Sequence, residues 1–273
     1  MFPLIKAHAY GNDFLYVEEA HLPHDDRAAL ARELCERCTG VGADGLIVYR
    51  RTARGAAMQL LNADGSYSEV SGNGVRGLAA VLLDVHHLAP VENVIVVETD
   101  AGLKRLELLG RDCGRPIFRA SMGQPTEPVE RDLDVGGEPL RVVVLRVGNP
   151  QCVRLEHALS EERMRRLGPL LERHAAFPEG TNVEFAVVEA PDRLRILIWE
   201  RGVGPTRSSG TGTCAAAVAA AAFGGASRTV EVHAPGGTQR VEWRDDGLYL
   251  TGWAEVVMQG QWVRPAGSGT LTP

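Results

Sequence analysis

Two short runs carry the most specific chemistry in the sequence: Ser71-Gly72-Asn73-Gly74 and Ser209-Gly210-Thr211-Gly212, each leading straight into an apolar stretch. A glycine-rich turn that opens a helix is a ready anion site, because the first backbone N–H groups have no partner inside the helix and share its positive dipole end. The hydroxyl in front of each turn can cap the helix or exchange a proton with a bound group. Glu200 and Arg201 end an apolar strand shortly before the second run and place an acid and a cation near it. Two helix ends of this kind can grip one carboxylate, while groups on opposite walls reach opposite faces of the carbon beside it.

The elements that position these runs are written twice. Ser71 recurs 138 residues on at Ser209, and other blocks keep nearly that spacing in the same order. Gly11-Asn12 returns as Gly148-Asn149, Gly42-Ala43-Asp44 as Gly180-Thr181-Asn182, and the strand ending at Asn62 as the strand ending at Glu200. One small motif recurs by chance, whereas four in register indicate duplication. Each half then reads as a strand, a polar Gly-Asn turn, a helix, a Gly-rich turn into a strand, a further strand, a ten-residue polar loop and a Gly-capped apolar helix. The alanine-rich helix from Cys214 suits a central position closely surrounded by sheet. The expected fold is α+β, with two pseudo-symmetric domains, each a mostly antiparallel sheet or barrel wrapped around a central helix. The first domain is expected over 1–115 with the tail 260–273, the second over 116–259, and the crossover within Gly114–Pro128. Two halves facing each other would bring Ser71 and Ser209 to opposite walls of one cleft.

Composition narrows the function. The chain has 273 residues, 44% of them hydrophobic, enough for a sizeable core, and a net charge of −6 argues against a nucleic-acid partner. The N-terminus lacks the basic start and apolar core of a signal peptide, and the apolar run Cys214–Phe223 is half a membrane span, so a soluble cytoplasmic protein without membrane contact is expected. Five cysteines at irregular positions form no disulfide framework; Cys35-x-x-Cys38 lies in a helical stretch with no second ligand pair, and no metal site is expected. Gly72-x-Gly74-x-x-Gly77 also fits a dinucleotide fingerprint, with Glu98 following a Val/Ile run. That reading fails twice: the polar loop 62–70, not a strand, precedes the first glycine, and the second copy lacks the third glycine.

The ordered runs GNDF (11–14), GADG (42–45), NADGS (62–66), SGNG (71–74), GNP (148–150), GTN (180–182), ERGVG (200–204) and SGTG (209–212) resemble those of diaminopimelate epimerase and its cofactor-independent relatives. The resemblance spans nearly the whole chain. It implies an isomerase that inverts the α-carbon of an amino acid, converting LL- to meso-diaminopimelate in lysine biosynthesis without a cofactor, and a homodimer. In that family two cysteines, one before each Gly-x-Gly turn, act as an acid–base pair that removes the α-proton from one face and returns it from the other. Carried over, Asn12, Asn62, Asn149, Asn182 and Arg201 correspond to substrate-positioning residues. Gly72, Asn73 and Gly74, with Gly210 and Thr211, correspond to backbone donors at the helix ends, and Glu200 to the acid supporting the second catalytic group. Asn149 before Pro150, and Asn62, also fit simple turn chemistry.

The departures concern chemistry. Both catalytic cysteines are serine here, Ser71 and Ser209; Gln151 stands where the family usually has histidine, Pro205 where a glutamate is expected, and Gly45 where glutamine is frequent. A hydroxyl is a poor base unless a neighbour accepts its proton. Ser209 has a candidate in Glu200, whereas Ser71 would have needed a histidine at 151. Three functions therefore remain: an α-carbon epimerase that either works slowly with hydroxyls or bears serines introduced for cysteines; a relative acting as a dehydratase or double-bond isomerase on a small carboxylate; or a protein that binds an amino acid or other carboxylate without turnover.

Overall fold

The computed structural model describes residues 1–22 and 26–263. In chain order the strands and helices are β1 (Phe2–Ala9), β2 (Asn12–Glu18), α1 (Arg27–Cys35), β3 (Gly45–Thr52), β4 (Gly55–Asn62), β5 (Tyr67–Ser68), α2 (Gly72–Asp84), β6 (Val94–Thr99) and β7 (Gly102–Asp112). There follow β8 (Arg115–Gly123), β9 (Val129–Val135), β10 (Glu138–Val147), β11 (Asn149–Leu155), α3 (Glu161–Glu172), β12 (Asn182–Ala190), β13 (Arg193–Glu200) and β14 (Gly204–Thr206). The chain closes with α4 (Gly210–Phe223), β15 (Thr229–Ala234), β16 (Gly237–Arg244), β17 (Gly247–Trp253) and β18 (Glu255–Trp262).

Two compact units result: one of residues 1–9, 13–116 and from 254 on, the other of Tyr10–Asn12 and Ile117–Trp253. The sequence reading assigned 254–259 to the second half, but β18 pairs antiparallel with β1 and so joins the first unit. The turn at Tyr10–Asn12 counts with the second, where Tyr10 stacks on Trp253 with ring centroids 4.4 Å apart. The part of the expected C-terminal tail beyond Val263 lies outside the described residues.

Each unit repeats one strand order, and from β2 and β11 onward the repeat extends to the sense of the pairings. In the first unit β1 pairs with β2, β2 runs parallel to β3, β3 antiparallel to β4, β4 parallel to β6 and β6 antiparallel to β7. In the second, β10 pairs with β11, β11 runs parallel to β12, β12 antiparallel to β13, β13 parallel to β15 and β15 antiparallel to β16. The parallel steps need crossovers, and in both units a helix supplies them. The Gly-Asn turns do not lead directly into helices as the sequence suggested. Gly11 and Gly148 sit at φ +86° and +75°, the left-handed region that glycine enters without strain, and turn the chain into β2 and β11.

Alternation along the strands sorts the side chains into two layers. In the second unit Val153, Ala186, Ile196 and Ile198 face α4, while Cys152, Val183, Phe185 and Leu171 of α3 form the layer on the other side. Helix α4 is apolar all round, as a helix enclosed by sheet must be. It touches β10, β11, β12, β13, β15, β16 and β17, and its alanines from Ala215 to Ala220 are buried. Small side chains let the strands approach its axis on every side. In the first unit Leu15, Val17, Leu46, Val48 and Leu61 pack on α1, which leaves the alternate face of those strands to α2.

Candidate active site

Both serines prove to be helix N-caps. Ser71 has extended backbone angles and its Oγ accepts the Gly74 N–H at 3.1 Å; Ser209 does the same with the Gly212 N–H at 3.2 Å. A cap of this kind is worth about 1 kcal/mol. In this structure the Gly74 and Gly212 N–H groups are thus engaged by the serines. The N–H groups at the helix starts that the serines do not take are those of Gly72 and Asn73 in α2, and of Gly210 and Thr211 in α4. Each Oγ, having accepted one N–H, keeps its own proton to donate.

The ground beneath the two caps differs. A Cβ placed on Gly74 would meet Ile47 Cδ1 at 2.8 Å, whereas one placed on Gly212 would run into Glu184 Oε1. The strand registers make these two side chains equivalents, since Ile47 lies opposite Leu60 in β4 and Glu184 opposite Ile198 in β13. Glu184 is 0% exposed, and neither carboxyl oxygen has a hydrogen-bond partner. Burial first, and then the charge of Glu200, push its carboxyl well above the usual carboxylate range. In the first unit the Tyr16 hydroxyl donates to the Gly74 carbonyl at 3.0 Å; its counterpart across the register is Val153, which has no hydroxyl.

The predicted positioning residues fall into distinct settings. Asn182 is buried, and its Oδ1 accepts the Arg201 N–H at 2.9 Å, which ties the start of β12 to the end of β13. Arg201 is exposed and donates from Nη1 to the Glu179 carbonyl at 2.7 Å. Glu200 is half-buried and shares the α4-facing side of the sheet with Glu184 and Ile198. Asn149 Oδ1 accepts from Gln151 Nε2 at 2.5 Å, and Gln151 is buried with its Oε1 unpartnered. Asn62 is exposed and donates from Nδ2 to Ser66 Oγ at 2.9 Å, the turn chemistry its sequence context allowed. Asn73 Oδ1 accepts from Arg76 Nη1 at 3.3 Å within α2. Asn12, half-buried, opens β2.

The first unit braces the corresponding strand start with charge. Asp13 pairs with Lys6 at 2.8 Å and with Arg37 at 3.1 Å, and Arg37 also reaches Asp44 at 2.8 Å. Burial works to raise the Asp13 carboxyl, but Lys6 and Arg37 outweigh it and hold it below the ordinary range. Cys35 is buried nearby and its thiol is pushed up to about 12, mainly by burial; Cys38 is exposed.

Glu184 was not among the residues singled out from the sequence. A signal existed: it is a lone acid inside Val183-Glu184-Phe185-Ala186-Val187, at the period-two position that faces the central helix.

Comparison with known proteins agrees with this architecture. The family model for diaminopimelate epimerase matches residues 4–126 and 143–261. The diaminopimelate epimerase of Desulforudis audaxviator is 42% identical over 277 residues, covering 95% of this chain and 98% of that protein. The enzyme of Desulfitobacterium hafniense is 39% identical over 279 residues, covering 94% and 96%. Among solved structures, the Bacillus anthracis phenazine biosynthesis protein of the PhzF family superposes with a TM-score of 0.72 at 14% identity, covering 96% of this chain and 99% of that one, a likeness of fold. The chain belongs to the diaminopimelate epimerase family. Among the described residues no helix is long and apolar enough to cross a membrane.

Proposed function

We propose that this member of the diaminopimelate epimerase family is a cofactor-independent isomerase acting at the α-carbon of diaminopimelate or a closely similar amino acid, in the cytoplasm, as a homodimer serving lysine biosynthesis. The observation that carries the reading is the repeated cap: two helices, each opened by a serine that takes the third N–H and leaves the first two for an anion. Each cap offers N–H groups to an α-carboxylate, Gly72 and Asn73 from α2 and Gly210 and Thr211 from α4, and Asn12, Asn62, Asn149, Asn182 and Arg201 position the substrate. As the α-proton leaves, negative charge grows on that carboxylate, and donors already aimed at it stabilise the change without reorganising.

With hydroxyls in place of thiols the proton transfers become unequal. A serine removes a proton only if a neighbour takes its own. Ser209 has Glu200 on the adjoining strand end, whereas the family's histidine position is the non-titrating Gln151. The second cap therefore works as the base side, and Ser71 serves chiefly as a donor.

Incubation with diaminopimelate in heavy water tests the reading. Deuterium at the α-carbon together with inversion supports it. Loss of water or a shifted double bond would instead assign the chain to a dehydratase or double-bond isomerase, the alternative that the absence of a titratable side chain at 151 keeps open. Binding without exchange would leave only an amino-acid-binding protein.

A further inference from the structure

The sheet beneath the second cap carries more buried polarity than the fold requires. Register places Gln151, Asn182 and Glu200 on the α4-facing side, with Glu184 one pair further along β12 and Thr206 of β14 opposite Ile198. Within this group Gln151 Oε1, both Glu184 oxygens and Thr206 Oγ1 are buried without hydrogen-bond partners. An unpaired buried carboxylate is among the most costly groups a core can hold, while its neutral form adds a donor where acceptors are in surplus. Glu184 also lies against Gly212, whose N–H is the one that Ser209 takes.

We propose that Glu184 is a proton-holding positioning residue of the second cap: only while its carboxyl is neutral do the first N–H groups of α4 take an anionic group of the substrate. The inference rests on the reading of α4 as a carboxylate grip. When Glu184 ionises, its proton goes to solvent and a negative charge stands at the positive end of the helix, where it competes with the substrate's carboxylate. The groups that act on it are few. Glu200 on β13 opposes its ionisation, and the buried Cys152 thiol of β11 is itself pushed up by burial and then by the Glu184 charge. Helix α4 carries one buried thiol, Cys214, two residues beyond Gly212, and α3, on the opposite face, brings Glu172, whose oxygens accept from Trp199 Nε1 and the Gly202 N–H.

Two measurements on the full chain test this. Isothermal titration with meso-diaminopimelate, in two buffers of different ionisation heat, is expected to show affinity falling about tenfold per pH unit above the Glu184 titration, with one proton taken up on binding. Glu184→Gln, which mimics the neutral acid, keeps the neutral-pH affinity and loses both the fall and the proton uptake. A flat wild-type profile, or a Glu184→Gln variant that retains the alkaline fall, overturns the proposal. Carboxyl carbon-13 spectra of the ligand-free protein, with the Glu184 signal identified by its loss in Glu184→Gln, should show it protonated through neutral pH. If diaminopimelate binds neither protein, the substrate reading fails, and this titration decides alone: a neutral Glu184 supports the proposal and an ionised one overturns it.

Discussion

The two capped helices share a scaffold and differ in what lies under it. Beneath the α2 cap are Ile47 and the Tyr16 hydroxyl; beneath the α4 cap are Glu184 and, on the same sheet face, Glu200, Gln151 and Thr206. The first is an apolar seat locked by one hydrogen bond. The second is a buried polar cluster with unpaired atoms, a condition that packing alone does not produce. The serine-capped helix start thus recurs in both units, while a buried carboxyl lies under the second cap and an aliphatic side chain under the first. If Ser71 and Ser209 act where the family resemblance places its two acid–base groups, that asymmetry bears directly on which side moves a proton.

The largest expected effect comes from introducing thiols at the two caps. Ser71→Cys with Ser209→Cys should raise α-proton exchange by about 10²-fold, the usual scale of a well-matched acid–base group, measured by deuterium incorporation. Adding the two single changes sharpens the comparison: Ser71→Cys, on the side without a titratable neighbour, should account for most of the gain.

Alkaline stability comes next. Glu184 titrates higher in the folded chain than in the unfolded one, so its contribution is fully present below the ordinary carboxylate range and is lost as pH rises through its raised value. Thermal melts of the wild type should fall across that window relative to Glu184→Gln. Parallel curves would break the distinction between the caps.

Glycine replacements probe the same ground sterically. Gly74→Ala presses on a movable Ile47 methyl, whereas Gly212→Ala presses on a buried carboxyl, so urea unfolding should show about 1–3 kcal/mol lost in each case, with Gly212→Ala the costlier. Removing the caps is milder. Ser71→Ala and Ser209→Ala should each lose about 1 kcal/mol, with Ser209→Ala again the larger because the orphaned N–H is more deeply buried. Smallest is Tyr16→Phe, about 1 kcal/mol or less for one hydrogen bond to the Gly74 carbonyl, a bond with no equivalent at Val153.

Much of this was legible in the residues. The Ser-Gly-x-Gly runs announced helix caps, and their spacing announced two copies of one unit, because local turn chemistry and order along the chain are both written linearly. The strands β2 and β11 are not legible in the spacing, since their short apolar runs follow directly on a Gly-Asn turn and look like part of the approach to a helix. The fate of the Gly74 N–H and the position of Glu184 were harder to read. Both depend on what meets across neighbouring strands and under a helix, and no spacing within a single strand encodes it.

The most direct test compares α-deuterium exchange into LL- and meso-diaminopimelate, each supplied alone in heavy water. In the two-base chemistry that the family resemblance implies, one epimer loses its α-proton to one catalytic group and the other epimer to the second. The asymmetry of the caps predicts that one epimer exchanges at least about tenfold faster, corresponding to about 1.4 kcal/mol between the two barriers. Equal rates for both epimers would contradict it.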